Sequence, residues 1–207
     1  FYMDGNRLYF LIGDVSGKGV PASLFMAITR SLFRTLSQQL LSPAKIVTDM
    51  NNSISDNNES NMFVTLIVGI LDLETGKLKL CNAGHNPPIL IRPDGQVSFL
   101  EFKTQIFVGV IEEFAYTEDE TTLEKGSKLF LYTDGVTEAE NTEKELYGDE
   151  KLLKTLSDNN TSDVRTTVNG IEDSVADHVK EAEASDDLTI LLIQYEPGQQ
   201  TIKHISL

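Results

Sequence analysis

The segment from Phe63 to Leu80 excludes more folds than any other stretch of this chain. Phe63 to Leu71 is dominated by β-branched and other apolar residues, Glu74-Thr75-Gly76 supplies a turn, and Leu78 and Leu80 then alternate with Lys77 and Lys79. Such side chains fit a pleated, half-buried surface, and so short a connection makes the pair an antiparallel hairpin. Further strands are predicted at Ile89 to Ile91 and Val97 to Leu100 around the turn Pro93-Asp94-Gly95, at Tyr116 to Leu123, and at Leu129 to Thr133, which ends at Asp134. A middle region built this way rules out an alternating βα chain.

Helices flank it. The apolar run Leu8 to Gly13 reads as a buried strand that delivers Asp14, and after the turn Gly17-Lys18-Gly19 a helix opens with Pro21 in its first turn. Leu24, Ile28, Leu32 and Leu36, with Phe25 and Phe33 beside them, predict that it packs on a sheet. Ser42-Pro43 is an N-cap and first-turn pair for a second helix that turns Ile46, Val47, Met50 and Ile54 inward and ends in the polar run 55–61. Val164, Val168, Ile171, Val175 and Val179 predict a long helix from about Ser162, weakened by Gly170. Leu188 to Tyr195 is a closing strand entered from Asp186-Asp187, and the tail after Pro197-Gly198 can add an edge strand. The class is α+β, with helices covering antiparallel sheets.

At 207 residues one domain with one core is expected, covering 1–196, followed by a tail over 197–207. Seventeen basic residues against 32 acidic ones give a net charge of -15, which excludes nucleic acid or an anionic membrane as the main partner. Neither Leu8 to Gly13 nor Met62 to Leu71 exceeds half the length of a spanning helix. The single cysteine, Cys81, excludes an intramolecular disulfide and a multi-thiolate metal site, reads as a small packing residue, and fits a cytoplasmic chain.

Three acidic positions share a context. Asp14, Asp134 and the pair Asp186-Asp187 each lie where a predicted apolar strand starts or ends, beside a turn. Carboxylates at the strand ends of a sheet can converge, and buried together they need a cation; oxygen ligands of this kind select Mg2+ or Mn2+. Any one of them alone would read as a turn or N-cap aspartate. The segment Gly13 to Gly19 is not a phosphate-binding P-loop, because Gly13 to Gly17 is one residue short and Gly19 stands where a hydroxyl is required.

Four motifs in order carry a family resemblance: Gly13-Asp14-Val15-Ser16-Gly17-Lys18-Gly19-Val20-Pro21-Ala22, Asn82-Ala83-Gly84-His85-Asn86-Pro87-Pro88, Tyr132-Thr133-Asp134-Gly135-Val136-Thr137-Glu138-Ala139, and Asp186-Asp187-Leu188-Thr189. Together they resemble the SpoIIE-type branch of the metal-dependent (type 2C-like) protein serine/threonine phosphatases. The resemblance implies two antiparallel sheets sandwiched between helices in four layers, α-β-β-α, with two Mg2+ or Mn2+ ions at one end. It places metal ligands at Asp14, the Val15 carbonyl, Asp134 and Asp186, and makes Asp14 and Asp134 catalytic through metal-activated water. Lys18, His85 and Asn86 are the candidates for contact with substrate; His85 also reads as a structural histidine bonding its turn, or as a contact to water near the metals, and Lys18 equally as a solvated turn lysine. His178 and His204 receive no role.

The family's upstream Gly-Gly-Asp-type motif does not occur in this chain, which begins at Phe1-Tyr2-Met3-Asp4 and is expected to be a fragment with a truncated N-terminal edge. Asp4, in an apparent turn before Leu8, does not match that motif, so the second ion lacks one ligand and the fragment is expected to be weakly active or inactive. The resemblance further implies a bacterial signalling role, a phosphorylated substrate of the anti-anti-sigma type, and an upstream sensory segment acting through the first two helices, which also admit a dimer. Two other readings compete. A catalytically silent module that binds a phosphoprotein keeps the same fold; a receiver-type phospho-acceptor needs a parallel βα sheet, which the hairpins contradict.

Overall fold

The computed structural model describes residues 1–56, 58, 61–160, 163–182, 187–197 and 205–206. The chain divides into two compact units, Phe1–His85 with Glu101–Leu123, and Asn86–Leu100 with Glu124–Leu207.

In the first unit, strand β2 (Arg7–Val15) pairs along its whole length with β3 (Val64–Asp72), from Arg7 opposite Asp72 to Val15 opposite Val64. Strand β4 (Lys77–Ala83) completes the predicted hairpin with β3. Asp4 is not in the turn: it ends a short strand, β1 (Tyr2–Asp4), that pairs with β2 and places Asp4 opposite Arg7, the turn itself being Gly5-Asn6. Alternation along the strands separates two faces. On one, Tyr9, Val15, Val64, Leu66, Val68, Cys81 and Ala83 pack with Phe33 of helix α1 (Val20–Ser37) and with Ile46, Val47, Met50 and Ile54 of α2 (Pro43–Ser55). The other carries Leu8, Phe10, Ile12 and Asp14. Gly69 lies opposite Phe10, where a Cβ would overlap the phenyl ring.

Helix α2 follows the sequence reading: Ser42 accepts a hydrogen bond from Lys45 N, and all four predicted residues are buried. Helix α1 departs from it. Leu24 and Ile28 are 61% and 53% exposed, and the buried face is Thr29, Phe33 and Ser37. A four-residue spacing drifts by about 40° per step on a helix of 3.6 residues per turn, so only Leu32 and Leu36 swing round to touch the core. The strand expected over Tyr116 to Leu123 shrinks to β8 (Asp119–Thr122), which pairs with β4. Residues 116–118 bond elsewhere: Tyr116 N donates to Thr48 Oγ1 at 3.2 Å, Thr117 N to Gln105 Oε1 at 2.8 Å, and Glu118 Oε2 accepts from Ala44 N at 3.1 Å. Gln105 itself belongs to β7 (Thr104–Gln105), a short parallel neighbour of β4 that carries no hydrophobic pattern of its own.

The second unit has strands β5 (Ile89–Ile91), β6 (Val97–Phe99), β9 (Lys128–Tyr132), β10 (Ile190–Gln194) and β11 (Ile205–Ser206), ordered β11-β10-β9-β5-β6. The tail thus adds an edge strand beside β10. Helices α3 (Asp149–Asp158) and α4 (Val164–Val179) supply Leu152, Leu156, Val164, Val168, Ile171 and Val175 to a core shared with Phe130, Tyr132 and Ile190. Helix α3 was not among the predicted elements, although Asp149-Glu150 in its first turn and Leu152 and Leu156 one turn apart are helix signals. Helix α4 is capped by Asp163, which accepts from Thr166 N at 2.9 Å; Ser162 lies outside the described residues. Gly170 has a packing reason, since a Cβ there would stand 2.7 Å from the Asn159 side chain.

Each sheet packs its own pair of helices, and a buried cluster fills the space between sheet and helices in each unit. Among the described residues no helix is long and apolar enough to cross a membrane.

Candidate metal centre

In the first unit, Asp14 occupies the penultimate position of β2, opposite Thr65, and Val15 is the last residue of the strand. The chain is then turned by Ser16, whose N–H donates to Phe63 O at 2.9 Å while its hydroxyl accepts from Phe63 N at 2.9 Å. Gly17 and Gly19 have φ of 82° and 81°, a region that strains other residues, and they carry the chain into α1, whose N-cap is Gly19. Lys18 is exposed between them.

His85 follows the end of β4 and is buried, 3% exposed. Asn82 clasps it: Asn82 Oδ1 accepts from His85 N at 2.8 Å and Asn82 Nδ2 donates to His85 O at 3.0 Å. Its ring Nδ1 lies 3.0 Å from Thr65 Oγ1, which lies 3.5 Å from Asp14 O. The end of this sheet thus gathers Asp14, Thr65 and His85. Thr65 was not singled out by the sequence, where it reads as one more β-branched strand residue, and Asn82 stood there only as the first residue of the second motif, with no role of its own.

In the second unit, Asp134 stands two residues beyond the end of β9. Thr133 ties its loop to the segment entering β10: the Thr133 hydroxyl donates to Asp187 O at 3.2 Å and accepts from Thr189 N at 3.1 Å, while Thr133 N donates to Thr189 O at 3.1 Å. Gly135 completes the approach, since a Cβ there would overlap the Asp187 carbonyl. Asp134 is thereby set beside the backbone of Asp187; Asp186 lies outside the described residues. Asn86 is engaged by the phenol of Tyr132, which also donates to Asp149 Oδ1 at 3.5 Å, and burial pushes the Tyr132 pKa up.

Asp134 Oδ1 is buried and has no hydrogen-bond partner among the described residues. A buried anionic oxygen is costly without a compensating donor or cation, so this carboxylate fits a metal ligand. Among the described residues no three acidic, histidine or cysteine side chains gather into a complete metal cage. The described structure thus holds Asp14 in one unit and Asp134 in the other.

Comparisons with known proteins bear on the same residues. The family profile described as stage II sporulation protein E (SpoIIE) matches residues 4–196. Protein IcfG of Synechocystis sp. is 28% identical over 220 residues, covering 93% of this chain and 34% of that protein. Phosphoserine phosphatase RsbU of Bacillus subtilis is 26% identical over 195 residues, covering 94% of this chain and 57% of that protein. The chain thus spans about a third of the first relative and just over half of the second. The solved RsbU and RsbW domains of Rv1364c from Mycobacterium tuberculosis share the fold, with a TM-score of 0.79 at 23% identity over 93% of this chain and 53% of that one. Since the matched span takes in Asp14, His85, Asp134 and Asp187 together with both sheets' central strands, the chain belongs to the SpoIIE family.

Proposed function

We propose that this chain is a metal-dependent phosphatase that hydrolyses phosphoserine or phosphothreonine on a signalling protein. The observation that carries this reading is the buried Oδ1 of Asp134, which has no hydrogen-bond partner among the described residues and lies in a loop bonded to the Asp187 backbone. Asp14, the Val15 carbonyl, Asp134 and Asp186 would hold Mg2+ or Mn2+, cations that favour such oxygen donors. When bound, a cation of this kind neutralises phosphoryl charge and acidifies a water.

The chain's own contribution is to hold those groups. Pairing of β2 with β3 fixes the Asp14 backbone, and the Thr133 and Gly135 contacts fix the Asp134 loop against Asp187. In-line attack of water on phosphorus breaks the ester bond and releases the serine or threonine hydroxyl with inorganic phosphate, so no protein nucleophile is required. Cys81 would make a poor one: it is buried, and burial pushes its thiol pKa up to about 12. Lys18, exposed beside the Asp14 turn, would meet an anionic substrate. The relative described as phosphoserine phosphatase RsbU supports the substrate class, and a phosphoprotein of the anti-anti-sigma type is the substrate we assign.

Regulation acts through α1. It begins directly after the Asp14 turn and leaves Val20, Leu24 and Ile28 exposed in one stripe, a face for an upstream sensory segment or a second copy of the chain. Displacing this helix would pull on Ser16 to Gly19 and so on Asp14 and Val15. Equal Mn2+ affinity with and without the upstream segment, under every signal condition, would exclude this regulation.

The deciding assay is phosphate release from a phosphoserine protein, with and without Mn2+, for the wild type and Asp134→Asn. The expected outcome is metal-dependent turnover that the substitution abolishes. Phosphoprotein binding without turnover in the presence of Mn2+ would instead mark the chain as a silent binding module.

A further inference from the structure

After β7 the chain enters a loop in the first unit that is fastened at the Asp14 end of the sheet. Val108 forms an isolated bridge with Val64, each N–H donating to the other's carbonyl at 3.0 Å, and Val64 lies opposite Val15 across β2 and β3. Val108 is therefore two strand spacings, about 10 Å, from Val15. The Phe107 ring packs on Phe63 with centroids 4.4 Å apart, and Phe63 exchanges hydrogen bonds with Ser16 in the Asp14 turn. Beyond Val108 the backbone is gripped by buried Asn51 of α2, whose Oδ1 accepts from Gly109 N at 2.9 Å and whose Nδ2 donates to Ile111 O at 2.8 Å. Asn58 Nδ2 donates to Gly109 O at 3.0 Å, and Gly109 has φ of 99°, where a Cβ would stand 2.9 Å from Met62 O. The tip held in this way carries Val110 and Ile111, 47% and 46% exposed, followed by exposed Glu112 and Glu113.

A single exposed apolar residue needs no explanation, but an adjacent pair on a clamped loop tip loses little freedom when a partner covers it, and such preorganisation favours binding. We propose that Val110 and Ile111 are a docking point for the phosphoprotein substrate, which sets an apolar side chain on them and a lysine or arginine near Glu112 and Glu113, beside its phosphorylated residue. This inference rests on the phosphatase reading. The tip stands at the Asp14 end of its sheet, where the phosphorylated residue has to arrive, and a protein substrate necessarily covers surface around that point. The acidic pair selects a basic flank, and it opposes a second copy of this chain, because a symmetric contact through the tip would set Glu112 and Glu113 against their like.

The test uses two synthetic phosphoserine peptides, one with leucine and lysine on both sides of the phosphoserine and one with serine in place of each leucine. They are given, with Mn2+, to the wild type and to the double variant Val110→Ser with Ile111→Ser, whose thermal midpoint is compared with that of the wild type. The wild type should hydrolyse the leucine peptide with kcat/KM about ten-fold above the serine peptide, chiefly through KM, and the double variant should treat the two alike. Equal kcat/KM for the two peptides in the wild type, or the same preference in the double variant, overturns the proposal. In Glu112→Lys with Glu113→Lys, KM should rise for both peptides, and an unchanged KM overturns the assignment of the basic flank. Self-association of the wild type that the double variant loses gives the tip to a second copy and overturns docking of substrate. If the wild type hydrolyses neither peptide, the phosphatase reading fails, and calorimetry with the same peptides decides docking by itself: a leucine peptide bound no more tightly than the serine peptide, or equally by wild type and double variant, overturns it.

Discussion

Gly135 packs so closely against the carbonyl of Asp187 that a Cβ at residue 135 would overlap it. The glycine is therefore a spacer that lets the Asp134 loop lie against the segment entering β10. Its consequence is chemical, because the Asp187 backbone position sets where the neighbouring carboxylates can reach.

Gly135→Ala should push the two backbones apart while leaving helices and strands in place. Mn2+ affinity, measured by calorimetry, is expected to fall about ten-fold or more, the scale on which contacts that orient metal ligands act. Circular dichroism should be unchanged. Wild-type affinity in Gly135→Ala would show that the Asp134 loop and the Asp187 segment need no fixed separation.

Glu118 anchors α2 to the sheet. Its carboxylate accepts from Ala44 N at 3.1 Å, at the helix N-terminus, and from Lys79 Nζ at 2.8 Å on β4. Burial raises its pKa, but the hydrogen bonds from Lys79, Ala44 and Ser42 outweigh that and leave it below the ordinary glutamate range. A carboxyl lowered on folding adds stability above its unfolded pKa, and that stability is lost as pH falls through the folded value. Urea midpoints followed from neutral to acid pH should therefore decline less steeply in Glu118→Gln than in the wild type. Parallel curves would remove Glu118 from the acid sensitivity of the fold.

Gly69 gives the Phe10 ring its place on β3. In Gly69→Ala the new methyl meets that ring and Leu80 Cδ2 at 2.5 Å, so one of them has to leave its packed position. Overpacking of this kind costs about 1 to 3 kcal/mol, readable as a lower urea midpoint. Shortening the ring in the double variant Gly69→Ala with Phe10→Leu should recover part of the loss, and a further loss in the double variant would rule out the ring as the cause.

Much of the fold was legible from local patterns. The β3–β4 hairpin announces itself by β-branched residues and a glycine turn, and α2 by a cap, a proline and a regular apolar stripe; both are found where expected. Strand β7 was not legible, because two polar residues joined in parallel to β4 have no period to read. The stripe on α1 misled because Leu24 and Ile28 mimic a buried face, while the helix sits on its Thr29 and Phe33 side.

The same division runs through the site. Asp14, Asp134 and the Asp186-Asp187 pair were marked by the sequence alone, since an acid at the end of an apolar run is a local pattern. So was His85, through its motif. What the tertiary structure decided is the partnership of Thr65 with His85 and Asp14, and of Gly135 and Thr133 with Asp187. These are contacts between residues distant in sequence, formed by strand register and loop packing. Hydrophobic period determines which elements form, but it is register that determines which polar groups meet.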